Sequence, residues 1–93
     1  MRIFVNGDTI VTISTAVVSH IKKANKKAKS YREIGGQLFG NKDNIEVLSA
    51  TGPHSTDVTK AFGFIPNRSI EQLDIHRKYA TGQDFLGDWH THL

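Results

Sequence analysis

Residues 85–92 have the sequence FLGDWHTH, with an apolar start, a tryptophan and two histidines. This pattern is typical of a buried strand that delivers its C-terminal end to a functional site. On an extended backbone, His90 and His92 project from the same side, with their Cα atoms roughly 6.5–7 Å apart. That spacing suits two ligands of one zinc ion. As a bare pattern, however, two histidines at a strand end are more often solvent-exposed or hydrogen-bonded.

A candidate general base lies upstream of this segment. Glu33 lies two residues before the break that Gly35 and Gly36 predict, where a strand edge or turn could aim its carboxylate into a cleft. A carboxylate beside zinc-activated water can take the proton of the attacking water and return it to the leaving amine. The alternative is an ordinary exposed glutamate in a turn, and residue 33 taken alone favours that interpretation.

The remaining ionisable candidates are weaker. Asp88 alternates with the two histidines along a regular strand, but three side chains of one strand need strained geometry to close around one small ion. A surface charge is therefore the favoured interpretation of Asp88. Surface or hydrogen-bonding roles are expected for His20, His54 and His76. The sequence offers neither a glycine-rich phosphate loop nor a convincing Ser/His/Asp order.

The rest of the chain supplies strands and helices around these residues. Asn6-Gly7 between two short β-type runs predicts a hairpin of residues 2–5 and 9–13. Apolar spacing predicts a helix over about residues 15–29, and residues 37–40 and 45–50 are predicted as strands paired around a polar turn. Residues 51–57 are predicted as a loop and residues 62–65 as a short strand. A capping box at Ser69 and Gln72 predicts a second helix ending near Ala80. This order predicts an α/β sandwich in which helices cover a mixed sheet.

Composition excludes several classes of protein. The 93 residues are 38% hydrophobic and 23% charged, as expected for one small globular domain. Because there is no cysteine, disulfides, thiolate metal cages and a cysteine nucleophile are excluded for this sequence. The first apolar run is too short for a signal-peptide core, and no stretch approaches membrane-spanning length. Cytoplasm is the expected compartment, and no membrane partner is expected.

The net charge of +3 is unevenly distributed. Five lysines occupy eight positions: Lys22, Lys23, Lys26, Lys27 and Lys29. Such a cluster could attract nucleic acid or an acidic partner. A solvated helix face is the favoured interpretation, since no arginine or aromatic side chain lies among the lysines to grip a phosphate or stack on a base.

Four segments together resemble the JAMM/MPN metalloprotease family. They are residues 33–40 (EIGGQLFG), 50–53 (ATGP), 64–66 (FIP) and 86–92 (LGDWHTH), in the order and spacing of that family. The likeness spans nearly the whole chain and is nearest to the bacterial members. The combination of the first and last segments is far more specific than either segment alone.

The resemblance implies a fold and an activity. The fold would be the JAMM/MPN, cytidine-deaminase-like α/β sandwich, and the activity would be zinc-dependent hydrolysis of the peptide or isopeptide bond after a ubiquitin-like modifier. By resemblance, Glu33 is the general acid/base, and His90 and His92 bind zinc. The implied partners are a ubiquitin-like modifier or peptide substrate and a ubiquitin-conjugation-like system.

The sequence departs from the family pattern after His92. The family continues with a proline, then a Ser-x-x-Asp that supplies an oxyanion donor and the third zinc ligand, whereas here Leu93 follows. We therefore expect residues 1–93 to form a single, incomplete JAMM/MPN domain that lacks the C-terminal elements and has weakened activity. An uncovered final strand would favour pairing with a second copy. The alternative is a catalytically inactive MPN-type scaffold or protein-binding module.

Overall fold

The computed structural model describes residues 2–5, 9–28, 33–60 and 63–91. Over these ranges the chain forms strands and helices in the order β1 (Arg2–Val5), β2 (Thr9–Ile13), α1 (Thr15–Ala28), β3 (Gly35–Asn41), β4 (Glu46–Thr51), β5 (Val58–Lys60), β6 (Gly63–Ile65), α2 (Arg68–Ala80) and β7 (Asp84–His90). Neither described helix has the length and apolar character needed to span a membrane.

The main sheet is mixed, as the sequence predicted. Its strand order is β1-β2-β4-β3-β7. β2 and β4 are parallel, and the other neighbours are antiparallel. The parallel pair is connected through α1 and β3, because two parallel neighbours need a crossover rather than a tight turn. β5 and β6 form a separate antiparallel ribbon. The α/β class is therefore confirmed.

The two helices pack on opposite faces of the main sheet. The pairing of β3 with β4 and with β7 has one register shift each, and in both cases the extra residue lies in the neighbouring strand. β3 itself therefore has no bulge. Side chains three positions apart on a regular strand point to opposite faces. Phe39 contacts Lys78 of α2, whose ammonium lies 5.9 Å from the ring centroid. On the other face, Gly36 lies beneath the indole of Trp89, which contacts His20 of α1.

The described core is small and centred on β3 and its neighbours. Its buried apolar side chains are Val17, Ile34, Phe39, Val47 and Trp89. Phe39 is fully buried and meets the ring of Phe85 edge-on, with the centroids 6.1 Å apart. The core thus ties α1, β3, β4 and β7 together around the centre of the main sheet.

Most of the predicted elements are observed. The predicted hairpin of residues 2–5 and 9–13 is present. The helix predicted over residues 15–29 is α1, with Lys29 outside the described residues. The predicted pair of strands is β3 and β4. β3 begins at Gly35, so Gly35 and Gly36 belong to the strand and do not form a break before it. β4 begins one residue later than predicted and extends through Thr51. The strand predicted at residues 62–65 is β6, with Phe62 outside the described residues.

Three predictions need correction. The cap of α2 is Asn67 rather than Ser69, since the Asn67 side chain accepts a hydrogen bond from the backbone N–H of Ile70. Strand β5 was missed, because three residues are too few to show a period-2 pattern. β7 was predicted to be a buried strand, but Trp89 is its one buried residue, and the strand lies at the edge of the described sheet.

Candidate functional site

Pairing between β3 and β7 brings together the two ends of the sequence pattern. Gly35 lies opposite His90 in the antiparallel register. Just beyond the strand ends, the N–H of Thr91 donates to the carbonyl of Ile34 at 2.9 Å, and the Ile34 N–H donates to the Thr91 hydroxyl at 3.2 Å. Glu33 therefore lies next to the chain segment that follows His90, although the two are far apart in sequence.

Glu33 and His90 line the same cleft. The cleft has a volume of about 300 Å³ and is bounded by the start of β3, the end of β7 and the first turn of α2. The side chains that matter chemically are Glu33, Arg68, Glu71, Asp88, Trp89 and His90. Glu33 is half-buried, whereas Asp88 and His90 are exposed. The cleft thus presents an imidazole and several carboxylates to one shared space.

An ion pair from α2 forms one wall of the cleft. Arg68 donates from Nη1 to Oε1 of Glu71 at 3.1 Å. The Glu71 side chain is 5% exposed, whereas that of Arg68 is 79% exposed. Burial raises the pKa of the Glu71 carboxyl, and the negative charge of Asp88 adds to the increase, while Arg68 opposes it. Sequence reasoning did not single out either residue. Their i, i+3 spacing was visible, but the burial of Glu71 was not.

The tryptophan before His90 anchors the end of β7. Its indole N–H donates to the carbonyl oxygen of Thr51 at 2.9 Å, and the bond passes over Gly36. The ring of His20 meets Trp89 edge-on with centroids 6.2 Å apart, and His20 Nε2 is hydrogen-bonded to the Gly52 carbonyl. The indole therefore fixes the strand that carries His90 against β4 and α1.

A buried aspartate fixes the approach to α2. Asp57, whose side chain is 1% exposed, accepts hydrogen bonds from the backbone N–H groups of His54 at 2.8 Å and Asn67 at 2.7 Å. His54 Nε2 also lies 2.7 Å from Oδ2 of Asp74 on α2. These bonds hold the loop before β5 against the start of α2, and so position the helix turn that lines the cleft.

The other described histidines, His20, His54 and His76, lie outside the cleft lining. His20 and His54 have the hydrogen-bonding roles predicted for them. His76 is exposed on α2, with its Nε2 3.3 Å from the Gln72 amide nitrogen. This leaves His90 as the histidine that the described structure places beside Glu33.

The donor atoms at the cleft are of the types that zinc binds. Imidazole nitrogen and carboxylate oxygen are ordinary zinc ligands, and His90, Glu33 and Asp88 supply them here. In the described part of the chain, no three His, Asp or Glu side chains are grouped so as to hold a metal ion. His92, the other predicted ligand, lies outside the described residues. The chemistry of the cleft fits zinc, and the roles of Glu33, His90 and His92 stay predictions.

Comparison with known proteins adds no family assignment. No protein-family model matches the chain, and no curated protein matches it significantly. Glu33 and His90, and the cleft that they line, are therefore the observations that bear on function.

Proposed function

We propose that this chain is a zinc-dependent isopeptidase or peptidase with the JAMM/MPN version of the α/β sandwich, acting in the cytoplasm. The supporting observation is that Glu33 and His90, 57 positions apart in sequence, line one cleft. Pairing of β3 with β7 brings the two residues together, and both contribute to the lining of the cleft. The substrate class is the bond that follows a ubiquitin-like modifier or a related peptide tail.

Each residue has a distinct task in this proposal. His90 and His92 would hold zinc, which when bound supplies the Lewis acidity that activates water and polarises the scissile carbonyl. Glu33 takes a proton from the attacking water at its carboxylate oxygen. It then delivers that proton to the nitrogen of the leaving amine, which departs neutral. Half-burial of Glu33 limits competing hydrogen bonds from solvent at the carboxylate.

The edge of the sheet offers a place for the substrate backbone. β7 is the outermost strand on the cleft side of the described sheet. An extended peptide can add to such an edge through main-chain hydrogen bonds, while its side chains alternate between the two faces. A peptide tail in this position would run past His90 and bring its last carbonyl towards Glu33.

A paired metal and activity assay tests this function. We expect the chain to bind zinc. His90→Ala and His92→Ala should each weaken that binding, whereas His76→Ala, which removes an exposed histidine outside the cleft, should not. With zinc present, cleavage of a ubiquitin-like fusion should fall about 10²–10⁴-fold in Glu33→Gln, the contribution typical of general acid–base catalysis. Glu46→Gln, a half-buried carboxylate on β4, is the matched control.

Two results would overturn the proposal. The first is equal zinc binding by the parent chain and by the His90→Ala and His92→Ala variants. The second is cleavage that is unaffected by either Glu33→Gln or a chelator. Binding of a protein partner equally well with and without chelator, with no cleavage, would instead identify the chain as an inactive MPN-type binding module.

A further inference from the structure

The pair formed by Arg68 and Glu71 is unusual in its exposure. The carboxylate of Glu71 is almost completely buried, yet its described ion-pair partner is a guanidinium that is 79% exposed to solvent. Buried carboxylates are costly unless they are paired and hydrogen-bonded. An apolar side chain at position 71 would pack the first turn of α2 against the sheet without this cost. The pair is therefore weak as a stabilising device.

The geometry suits a different purpose, which is to hold a guanidinium at the mouth of the cleft. Glu71 lies one helical turn after Arg68 and accepts from Nη1. A guanidinium carries five N–H donors in a rigid planar fork. One bond to Glu71 fixes the fork and leaves other donors on the exposed side of the group. Because the side chain is already restrained, a ligand would lose less entropy in binding it.

We propose that Arg68 is a specificity-determining residue that binds a carboxylate on the substrate peptide, with Glu71 as its positioning residue. The peptide nature of the ligand rests on the proposed function. The carboxylate follows from the fork, whose two parallel N–H groups match the two oxygens of a carboxylate in a bidentate pair.

The surrounding charges favour a singly charged anion. Glu33 and Asp88 line the same cleft, so a phosphate, with nearly two negative charges, meets more repulsion than a carboxylate does. These two carboxylates also restrict where the ligand can carry its own negative charge. An acidic group is tolerated beside Arg68 and repelled elsewhere in the cleft. We therefore expect one acidic position in the substrate rather than a general preference for acidic peptides.

A binding scan tests the proposal independently of catalysis. The probes are fluorescein-labelled eight-residue peptides of glycine and alanine with a single Glu placed at each position in turn, each paired with the same peptide carrying Gln. Affinity for the 93-residue chain is measured by fluorescence anisotropy with zinc present. We expect one position at which Glu binds about tenfold more tightly than Gln, the discrimination typical of one charge-assisted bidentate contact.

A set of variants distinguishes the contribution of Arg68 to the Glu preference from nonspecific charge effects. Arg68→Gln should abolish the Glu preference, and Arg68→Lys should lose most of it, because the charge remains but the fork does not. Arg77→Gln, an exposed arginine in the last turn of the same helix, should leave it unchanged. Glu71→Gln should spread the preference over neighbouring positions, which a purely structural role for Glu71 would not do.

Several outcomes would reject the assignment. They are equal affinity for the Glu and Gln peptides at every position, a Glu preference that survives Arg68→Gln, and no measurable binding of any peptide at millimolar concentration. Tighter binding of phosphoserine than of Glu would assign the site to phosphate and overturn the carboxylate proposal. A Glu preference without any cleavage of ubiquitin-like fusions would reject the proposed hydrolase function while leaving the carboxylate site in place.

Discussion

Replacing Gly36 with alanine should destabilise the protein by closing the gap that the Trp89 indole occupies. A Cβ atom at position 36 would overlap the carbonyl oxygen of Thr51 and lie 2.7 Å from the indole nitrogen. The first obstacle is backbone, which moves only if β3 and β4 separate. The second is the donor of the 2.9 Å bond to Thr51. The substitution therefore perturbs two contacts at once.

The magnitude follows from these two contacts. Forcing an extra methyl group into a packed site costs about 1–3 kcal/mol, and loss of the indole hydrogen bond adds about 1 kcal/mol. We expect a loss of about 2–4 kcal/mol in the free energy of unfolding. For a domain of this size that corresponds to a fall in Tm of roughly 8–30 °C.

Denaturant titration followed by circular dichroism and by tryptophan fluorescence measures the effect. Trp89 is the only tryptophan of the chain, so its emission reports directly on the perturbed site. Gly63→Ala is the matched control, because a Cβ at position 63 meets no atom within 4 Å. Trp89→Phe, which removes the N–H donor but keeps an aromatic ring, should cost about 1–3 kcal/mol by itself. Equal unfolding midpoints for Gly36→Ala and Gly63→Ala would refute the reasoning.

Two further predictions concern α2. Burial raises the pKa of Glu71 above its usual range, so the folded state binds this proton more tightly than the unfolded state. The resulting stabilisation is present below the ordinary pKa and is lost as pH rises through the folded value. Glu71→Gln should therefore gain stability relative to the parent chain as pH rises above the ordinary pKa of a glutamate carboxyl, and urea midpoints that stay a constant distance apart over that rise would contradict this. Asn67→Ala should cost about 1 kcal/mol by removing the helix cap, whereas Ser69→Ala should be nearly neutral; equal losses in urea titrations would restore Ser69 as the cap.

The sequence predicted the elements whose signal is local. The antiparallel pairing of residues 2–5 with 9–13 and the helix over residues 15–28 were predicted from patterns within one turn or one helical period. The structure has β1 paired with β2, and α1, at these positions. The mixed sheet also followed, because the order of strands and helices restricts how a small sheet can be built. The proximity of Glu33 and His90 was implied by the family resemblance. It was also implied by the position of Glu33 just before one predicted strand and of His90 at the end of another.

The features that were missed depend on tertiary contacts. Nothing in the local pattern separates Asn67 from Ser69 as the cap, since both residue types cap helices well. Asn67 is selected because Asp57 holds its backbone N–H at 2.7 Å. Likewise, glutamate is a residue type usual on the exposed face of a helix, and Glu71 is buried only because α2 meets the sheet there. The edge position of β7 is decided by strand order, which a strand's own residues do not encode.

The long-range register between β3 and β7 links binding to local stability. The bonds that join Ile34 to Thr91 connect residues 57 positions apart, so detachment of β7 removes one side of the cleft in a single step. A ligand held from both sides stabilises only the attached state and must slow that opening. Amide hydrogen exchange along β7 would therefore report on ligand binding. The free energy of opening measured by exchange should rise in proportion to the logarithm of the ligand concentration once that concentration exceeds the dissociation constant.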